Sequence, residues 1–137
     1  MNDLDLLMTD LKKNNIKSIK LSVSAPFHCR LMNNATKIMQ NEIQKSDFKN
    51  PINTLISNVT SQEVNDSSLL KDLLIKQIES RVRWRENVNL MLKKGTKKFI
   101  EIGPGKILSG LIKRIDRNLI SLSINTNDEI KNIKLND

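Results

Sequence analysis

The sequence predicts an α/β fold with a mainly parallel sheet. Stretches with helical apolar spacing alternate with short aliphatic runs through most of the 137 residues, which is the pattern of repeated βα units. Aromatic residues make up only 3% of the chain, while Leu, Ile and Val are plentiful, so the core must be built from branched aliphatics. No internal repeat or low-complexity linker breaks the alternation, and the length suits one domain.

Taken in order, Leu4, Leu7, Met8 and Leu11 fall at i, i+3, i+4 and i+7 and predict a helix from Asp3 to Asn14. Ile19, Leu21 and Val23 alternate with Ser18, Lys20 and Ser22, which predicts a strand over Lys17–Val23. Pro26 ends that run. Leu31, Ala35, Ile38, Met39 and Ile43 then give a helix from His28 or Cys29 to about Lys45. After a connector at Phe48–Pro51, Ile52–Val59 reads as a strand and Ser61–Ser67 as a polar turn. Leu70, Leu73, Leu74 and Gln77 mark a helix over Ser67–Ile78, and Trp84, Val88, Met91 and Leu92 mark another, closed by Gly95. A strand at Lys98–Ile102, a turn at Gly103-Pro104-Gly105, a helix through Leu108, Leu111, Ile112 and Ile115, and a strand at Leu119–Ile124 complete the alternation. The tail from Asn125 is polar and weakly helical.

Composition narrows the function classes. The net charge is +8, so acidic partners are conceivable, but the lysines are scattered and form no run of five like charges. Aromatic interleaving and clustered Arg are missing, which argues against nucleic acid. One Cys and one His supply neither an internal disulfide nor a four-ligand zinc site. Met1-Asn2-Asp3-Leu4-Asp5 lacks a basic start followed by an apolar run, and no apolar stretch approaches the roughly 20 residues of a membrane span. These features predict a soluble cytoplasmic protein with no membrane or metal partner.

Few residues carry chemistry. His28 follows Pro26 at a strand-to-helix junction, where a helix N-terminus would favour the neutral imidazole and hence a general base. Taken alone, it reads more readily as a surface or satisfied histidine at a helix cap than as a base. Cys29 would gain acidity at the same helix start, yet neighbouring residues diverge by about 100° around a helix, so a small packed thiol is the expectation. Gly103-Pro104-Gly105-Lys106 joins a strand to a helix, where phosphates bind, but without P-loop spacing it reads as a tight turn. Gln77 and Trp84 read as a helix-end residue and a core aromatic.

Together these segments are far more specific. The ordered set Ser22-Val23-Ser24-x-Pro26-x-His28-Cys29-x-Leu31-Met32, Ser57-Asn58-Val59, Gln77-x-x-x-x-Val82-x-Trp84 and Glu101-Ile102-Gly103-Pro104-Gly105-Lys106-x-Leu108-x-Gly110-Leu111 resembles the C-terminal part of malonyl-CoA:acyl carrier protein transacylase, over about residues 1–125. The resemblance implies the C-terminal portion of an α/β-hydrolase-like acyltransferase fold. Residues 1–23 would end a small ferredoxin-like subdomain, 24–125 would belong to the large subdomain, and 126–137 would be a polar tail. It further implies fatty acid biosynthesis by ping-pong malonyl transfer from coenzyme A to the phosphopantetheine thiol of acyl carrier protein. These are substrates, and no bound cofactor is implied. His28 takes the place of the general base, with the backbone carbonyl of Gln77 orienting it, in a Ser-His dyad. Lys17 is a candidate substrate-binding residue.

The chain departs from that family in one decisive way: it contains no G-x-S-x-G. A base without its nucleophile assists no attack, so the chain alone is expected to be inactive, as a truncated or split form whose partner would be an N-terminal half carrying G-x-S-x-G. Phe27 also stands where the family often has serine, which bears on pocket shape. The alternative is a non-catalytic remnant or a binding module for acyl carrier protein, presenting Lys12, Lys13, Lys17, Lys20, Arg30 and Lys106.

Overall fold

The computed structural model describes residues 3–20 and 23–133. Helix α1 (Asp3–Lys13) carries Asp3 and Asp5 in its first turn and Lys12 and Lys13 in its last, charges that complement the helix dipole. Its apolar stripe stands largely open: Leu4 and Leu7 are both exposed.

The strand expected over Lys17–Val23 is not formed in its described part. Lys17–Lys20 is irregular, Ile19 and Val23 are exposed, and Leu21 and Ser22 lie outside the described residues. Alternating polarity suits a strand, but a strand also needs a neighbour for its backbone groups. Among the described residues this segment has none.

A single 3₁₀ turn (Arg30–Met32) leads into α2 (Asn33–Lys45), so the regular helix starts later than the expected His28 or Cys29. The long strand expected over Ile52–Val59 shrinks to β1 (Leu55–Ile56), which pairs antiparallel with β2 (Glu63–Val64) inside the expected polar turn. The reason is local. Ser57 Oγ accepts from the Val59 amide at 3.1 Å, and the Ser61 amide donates to Ser57 O at 2.9 Å. That serine-centred turn curls the chain back before a longer ladder can form. This hairpin is separate from the parallel sheet, contrary to the expectation of one shared sheet.

From here the expected order holds. Helix α3 (Ser67–Gln77) starts at Asp66, whose side chain accepts from the Leu69 amide. Helix α4 (Trp84–Lys93) ends at Gly95, which adopts φ +89°. Strand β3 (Lys98–Ile102), helix α5 (Ile107–Ile115) and strand β4 (Ile120–Ile124) form one βαβ unit, with β3 and β4 parallel and Lys98 opposite Ile120 through Ile102 opposite Ile124. Helix α6 (Asn127–Asn132) opens with a capping box between Thr126 and Glu129. The end of the expected polar tail, residues 134–137, lies outside the described residues.

The core gathers Val88 from α4, Phe99 from β3, Ile112 from α5 and Leu119 from the turn before β4, with Trp84, Met91, Leu92 and Ile115 packed around them. Period-2 alternation decides which β3 residues join it: Phe99 is buried, whereas Ile100 and Ile102 on the opposite face are exposed. Glu101 shares the Phe99 face and caps α5, accepting from the Leu108 and Ser109 amides at 3.1 and 2.8 Å. The Ser109 backbone bond is the main reason its carboxyl sits below the ordinary value of 4.5.

Candidate active site

The segment around His28 is built from three short-range contacts. The Phe27 amide donates to Ala25 O at 2.9 Å, the Cys29 thiol donates to Pro26 O at 3.2 Å, and the Met32 amide donates to Cys29 O at 3.0 Å. Within this turn His28 adopts φ +62°, a left-handed conformation uncommon for residues other than glycine. The side chain is thereby carried away from α2 and towards the C-terminal end of α3.

There the imidazole Nδ1 lies 3.0 Å from the backbone carbonyl of Gln77, across 49 positions of sequence. A carbonyl oxygen has no proton to give, so Nδ1 must carry the hydrogen, and in the neutral ring Nε2 carries the lone pair. The Gln77 side-chain Nε2 is also within 3.4 Å of Nδ1. Both groups are donors in this tautomer, so no bond joins them, and the amide donates instead to Ser80 O at 3.2 Å. That bond also fixes the orientation of the Gln77 amide.

Gln77 O is free to accept because α3 stops there. The last carbonyls of a helix have no partner within it, and among the described residues the chain beyond Gln77 does not return a donor. The Ser80 amide goes to Lys76 O at 3.0 Å, and the Arg83 amide goes to Asn58 O at 3.0 Å. Asn33 Nδ2, at the start of α2, donates to Glu79 Oε1 at 3.2 Å. That contact ties the helix after His28 to the link after Gln77.

One expectation changes. His28 precedes the 3₁₀ turn rather than capping the regular helix, and a helix dipole acts only over its terminal turn. The group that orients the ring is therefore the Gln77 carbonyl, not the start of α2. Cys29 is half-buried and its thiol is engaged with Pro26 O. The Gly103–Lys106 loop behaves as a tight turn: Gly103 and Gly105 adopt φ +136° and +97°, and the Gly105 amide is taken by Asn125 Oδ1 at 2.6 Å. Lys17 is exposed in the irregular segment after α1 and makes no hydrogen bond or ion pair among the described residues.

His28 is exposed and Gln77 half-buried, so the ring's proton-accepting edge belongs to an open surface. The arrangement offers an oriented proton acceptor, and this chain places no nucleophile on a nucleophile elbow beside it. Among the described residues no group of three or more His, Cys, Asp or Glu could hold a metal ion, and no helix is long and apolar enough to cross a membrane. Sequence reading gave no role to Asn58 and Asn87, whose side chains meet at 2.6 Å. The signals were the place of Asn58 in the Ser57-Asn58-Val59 motif and Asn87 itself, a polar residue immediately before the apolar Val88 of α4.

No family model matches the chain. The malonyl CoA-acyl carrier protein transacylase of Bacillus subtilis strain 168 is 36% identical over 127 residues, which is 91% of this chain and 40% of that protein. The crystal structure of an acyl carrier protein S-malonyltransferase from Vibrio cholerae superposes with a TM-score of 0.78 at 37% identity, covering 86% of this chain and 39% of the other. A type II polyketide malonyl-transacylase in complex with its acyl-carrier protein superposes at 0.79, with 28% identity, over 93% of this chain and 42% of the other. The chain thus spans about two fifths of the length of these relatives. In sequence and in fold, it is homologous to the C-terminal part of the malonyl CoA-acyl carrier protein transacylases.

Proposed function

We propose that this chain supplies the histidine-bearing part of a malonyl-CoA:acyl carrier protein malonyltransferase of fatty acid biosynthesis, acting in the cytoplasm. The observation that carries the reading is the 3.0 Å contact between His28 Nδ1 and Gln77 O. It leaves Nε2 as the proton acceptor on an exposed face.

In this mechanism a serine hydroxyl, on a G-x-S-x-G segment outside this chain, meets His28 Nε2. The imidazole takes the hydroxyl proton as the oxygen attacks the malonyl thioester carbonyl. As the tetrahedral adduct collapses, the C–S bond breaks and the imidazolium gives its proton to the departing coenzyme A sulfur. The phosphopantetheine thiol of acyl carrier protein then repeats the sequence in reverse: His28 takes the thiol proton, sulfur attacks the seryl ester, and the proton returns to serine. The Gln77 carbonyl holds the tautomer and offers a neutral dipole to the imidazolium, in the place where a triad has a carboxylate. Residues 1–23 are assigned to the end of a small ferredoxin-like subdomain, 24–125 to the large subdomain and 126–137 to a tail. Lys17 is assigned to substrate phosphates, on the strength of its exposed, unpaired ammonium.

The test is malonyl transfer to acyl carrier protein by this chain alone and by the chain mixed with a G-x-S-x-G-bearing polypeptide from a relative. Turnover is expected only in the mixture, falling about 10²–10⁴-fold with His28→Ala. Lys17→Glu should raise KM and leave kcat unchanged. Mixed-chain turnover that survives His28→Ala would overturn the assignment of the base.

A further inference from the structure

The feature that makes Gln77 O available is the course of the chain after α3, and two asparagines hold that course. Had α3 continued, the Arg81 amide would reach Gln77 O in the ordinary i to i−4 pattern and occupy the carbonyl that His28 uses. Instead the chain leaves the helix and is captured at Arg83. Its amide donates to the backbone carbonyl of Asn58 at 3.0 Å. Asn58 Oδ1 in turn accepts from Asn87 Nδ2 at 2.6 Å, across 29 positions. Asn87 lies in the first turn of α4, where its own amide donates to Arg83 O at 2.9 Å. Arg83 is therefore held on both sides by the backbones of two residues whose side chains bond each other, and the β1–β2 hairpin is pinned to the start of α4.

Asn87 is not what packing selects at this place. It is 3% exposed, next to the fully buried Val88, and its Oδ1 has no hydrogen-bond partner among the described residues. A buried amide with an unpartnered acceptor is destabilising, and an apolar residue of similar size would cost less. A local rule broken inside a core marks a position where something other than stability is being specified.

We propose that Asn58 and Asn87 are positioning residues for His28: their amide pair fixes the α3–α4 link so that Gln77 O stays free for Nδ1. The proposal rests on the reading of His28 as the base, and its test does not use activity. His28 is the only histidine, so in the 15N-labelled full chain two imidazole nitrogens report on this contact alone. In the wild type, at a pH where the ring is neutral, the expected signature is a protonated Nδ1 and an unprotonated Nε2.

Asn58→Ala should shift the two nitrogens towards each other as the tautomers mix. Asn58→Asp keeps an oxygen for Asn87 Nδ2 and should restore the wild-type pair of shifts. Asn89→Ala, on the exposed side of α4, should leave them unmoved. Hydrogen exchange on the wild-type chain provides a check that does not depend on variants folding: the Arg83 amide should be protected while those of Arg81 and Val82 exchange freely. The proposal is overturned if Asn58→Ala leaves the ring signals at their wild-type positions, or if the Arg83 amide exchanges as fast as its neighbours. Loss of the catalytic role alone, with the ring signals still responding to Asn58, would sink the reading of the base and leave the clamp standing.

Discussion

At the scale of single residues, the site is defined by one contact between a side chain and a backbone atom. That division of labour makes an unusual demand on Gln77: the carbonyl that faces His28 belongs to the backbone, so the side chain acts only through its 3.2 Å bond to Ser80 O. Gln77→Ala keeps the carbonyl and loses a bond worth about 0.5–1.5 kcal/mol. In the complemented enzyme its effect on turnover should be about tenfold or less, against the far larger loss with His28→Ala. Steady-state kinetics of the two variants side by side check this, and equal losses would show that the side chain does more than brace the turn. The residue scale also explains what could be read in advance. His28 drew attention as the lone histidine at a strand-to-helix junction. Every residue has a carbonyl, so nothing in residue chemistry distinguished Gln77. Its pairing came only from the resemblance to a known motif. Asn58 and Asn87, far apart in sequence, offered no shared pattern at all.

At the scale of elements, the βαβ unit is the most self-sufficient part of the chain, and its capping is done in part by a strand residue. Glu101 on β3 receives the first amides of α5, and the Ser123 hydroxyl donates to the same carboxylate from β4 at 3.4 Å. Its carboxyl lies below the ordinary 4.5, first because of the Ser109 backbone bond. The folded value is depressed, so the carboxylate's contribution is complete above the unfolded value and is lost as pH falls through the folded one. Stability should therefore decline as pH drops from about 4.5 downward, and Glu101→Gln should flatten that part of the curve. Urea unfolding of both proteins across pH 3 to 6 measures it, and parallel curves would count against the cap. Ile112, 3% exposed in the core cluster, is the packing counterpart. Ile112→Ala should cost about 2–5 kcal/mol and Ile112→Val about 0.5–1.5 kcal/mol, read from the same unfolding midpoints.

At the scale of the whole molecule, one side of the parallel sheet is largely uncovered, with Ile124 alone of its aliphatics buried. Lys98, Ile100 and Ile102 on β3 share a face with Ile120, Leu122 and Ile124 on β4 by their register. Ile102 is 79% exposed, and Ile100, Ile120 and Leu122 are exposed with it. Parallel sheets are ordinarily covered on both faces, and a contiguous aliphatic patch drives association. The isolated chain should bind an apolar dye and sediment as concentration-dependent oligomers, and Ile102→Lys should reduce both with little loss of stability. A monodisperse monomer that binds no dye would contradict this account of the face.

Periodicity foretold α1, α3, α4, α5 and the strands β3 and β4 nearly residue for residue, because a helix closes its own hydrogen bonds and an apolar stripe is a local property of the chain. The aliphatic runs at Lys17–Val23 and Ile52–Val59 were overread, because a strand is completed only by a neighbour. Lys17–Lys20 has none among the described residues, and the serine turn at Ser57–Ser61 supplied Leu55–Ile56 with a short antiparallel one. The lone histidine could be found by reading along the chain. Its tautomer could not, because that depends on which carbonyl a distant helix leaves unused, and only tertiary structure brings the end of α3 to within 3.0 Å of His28.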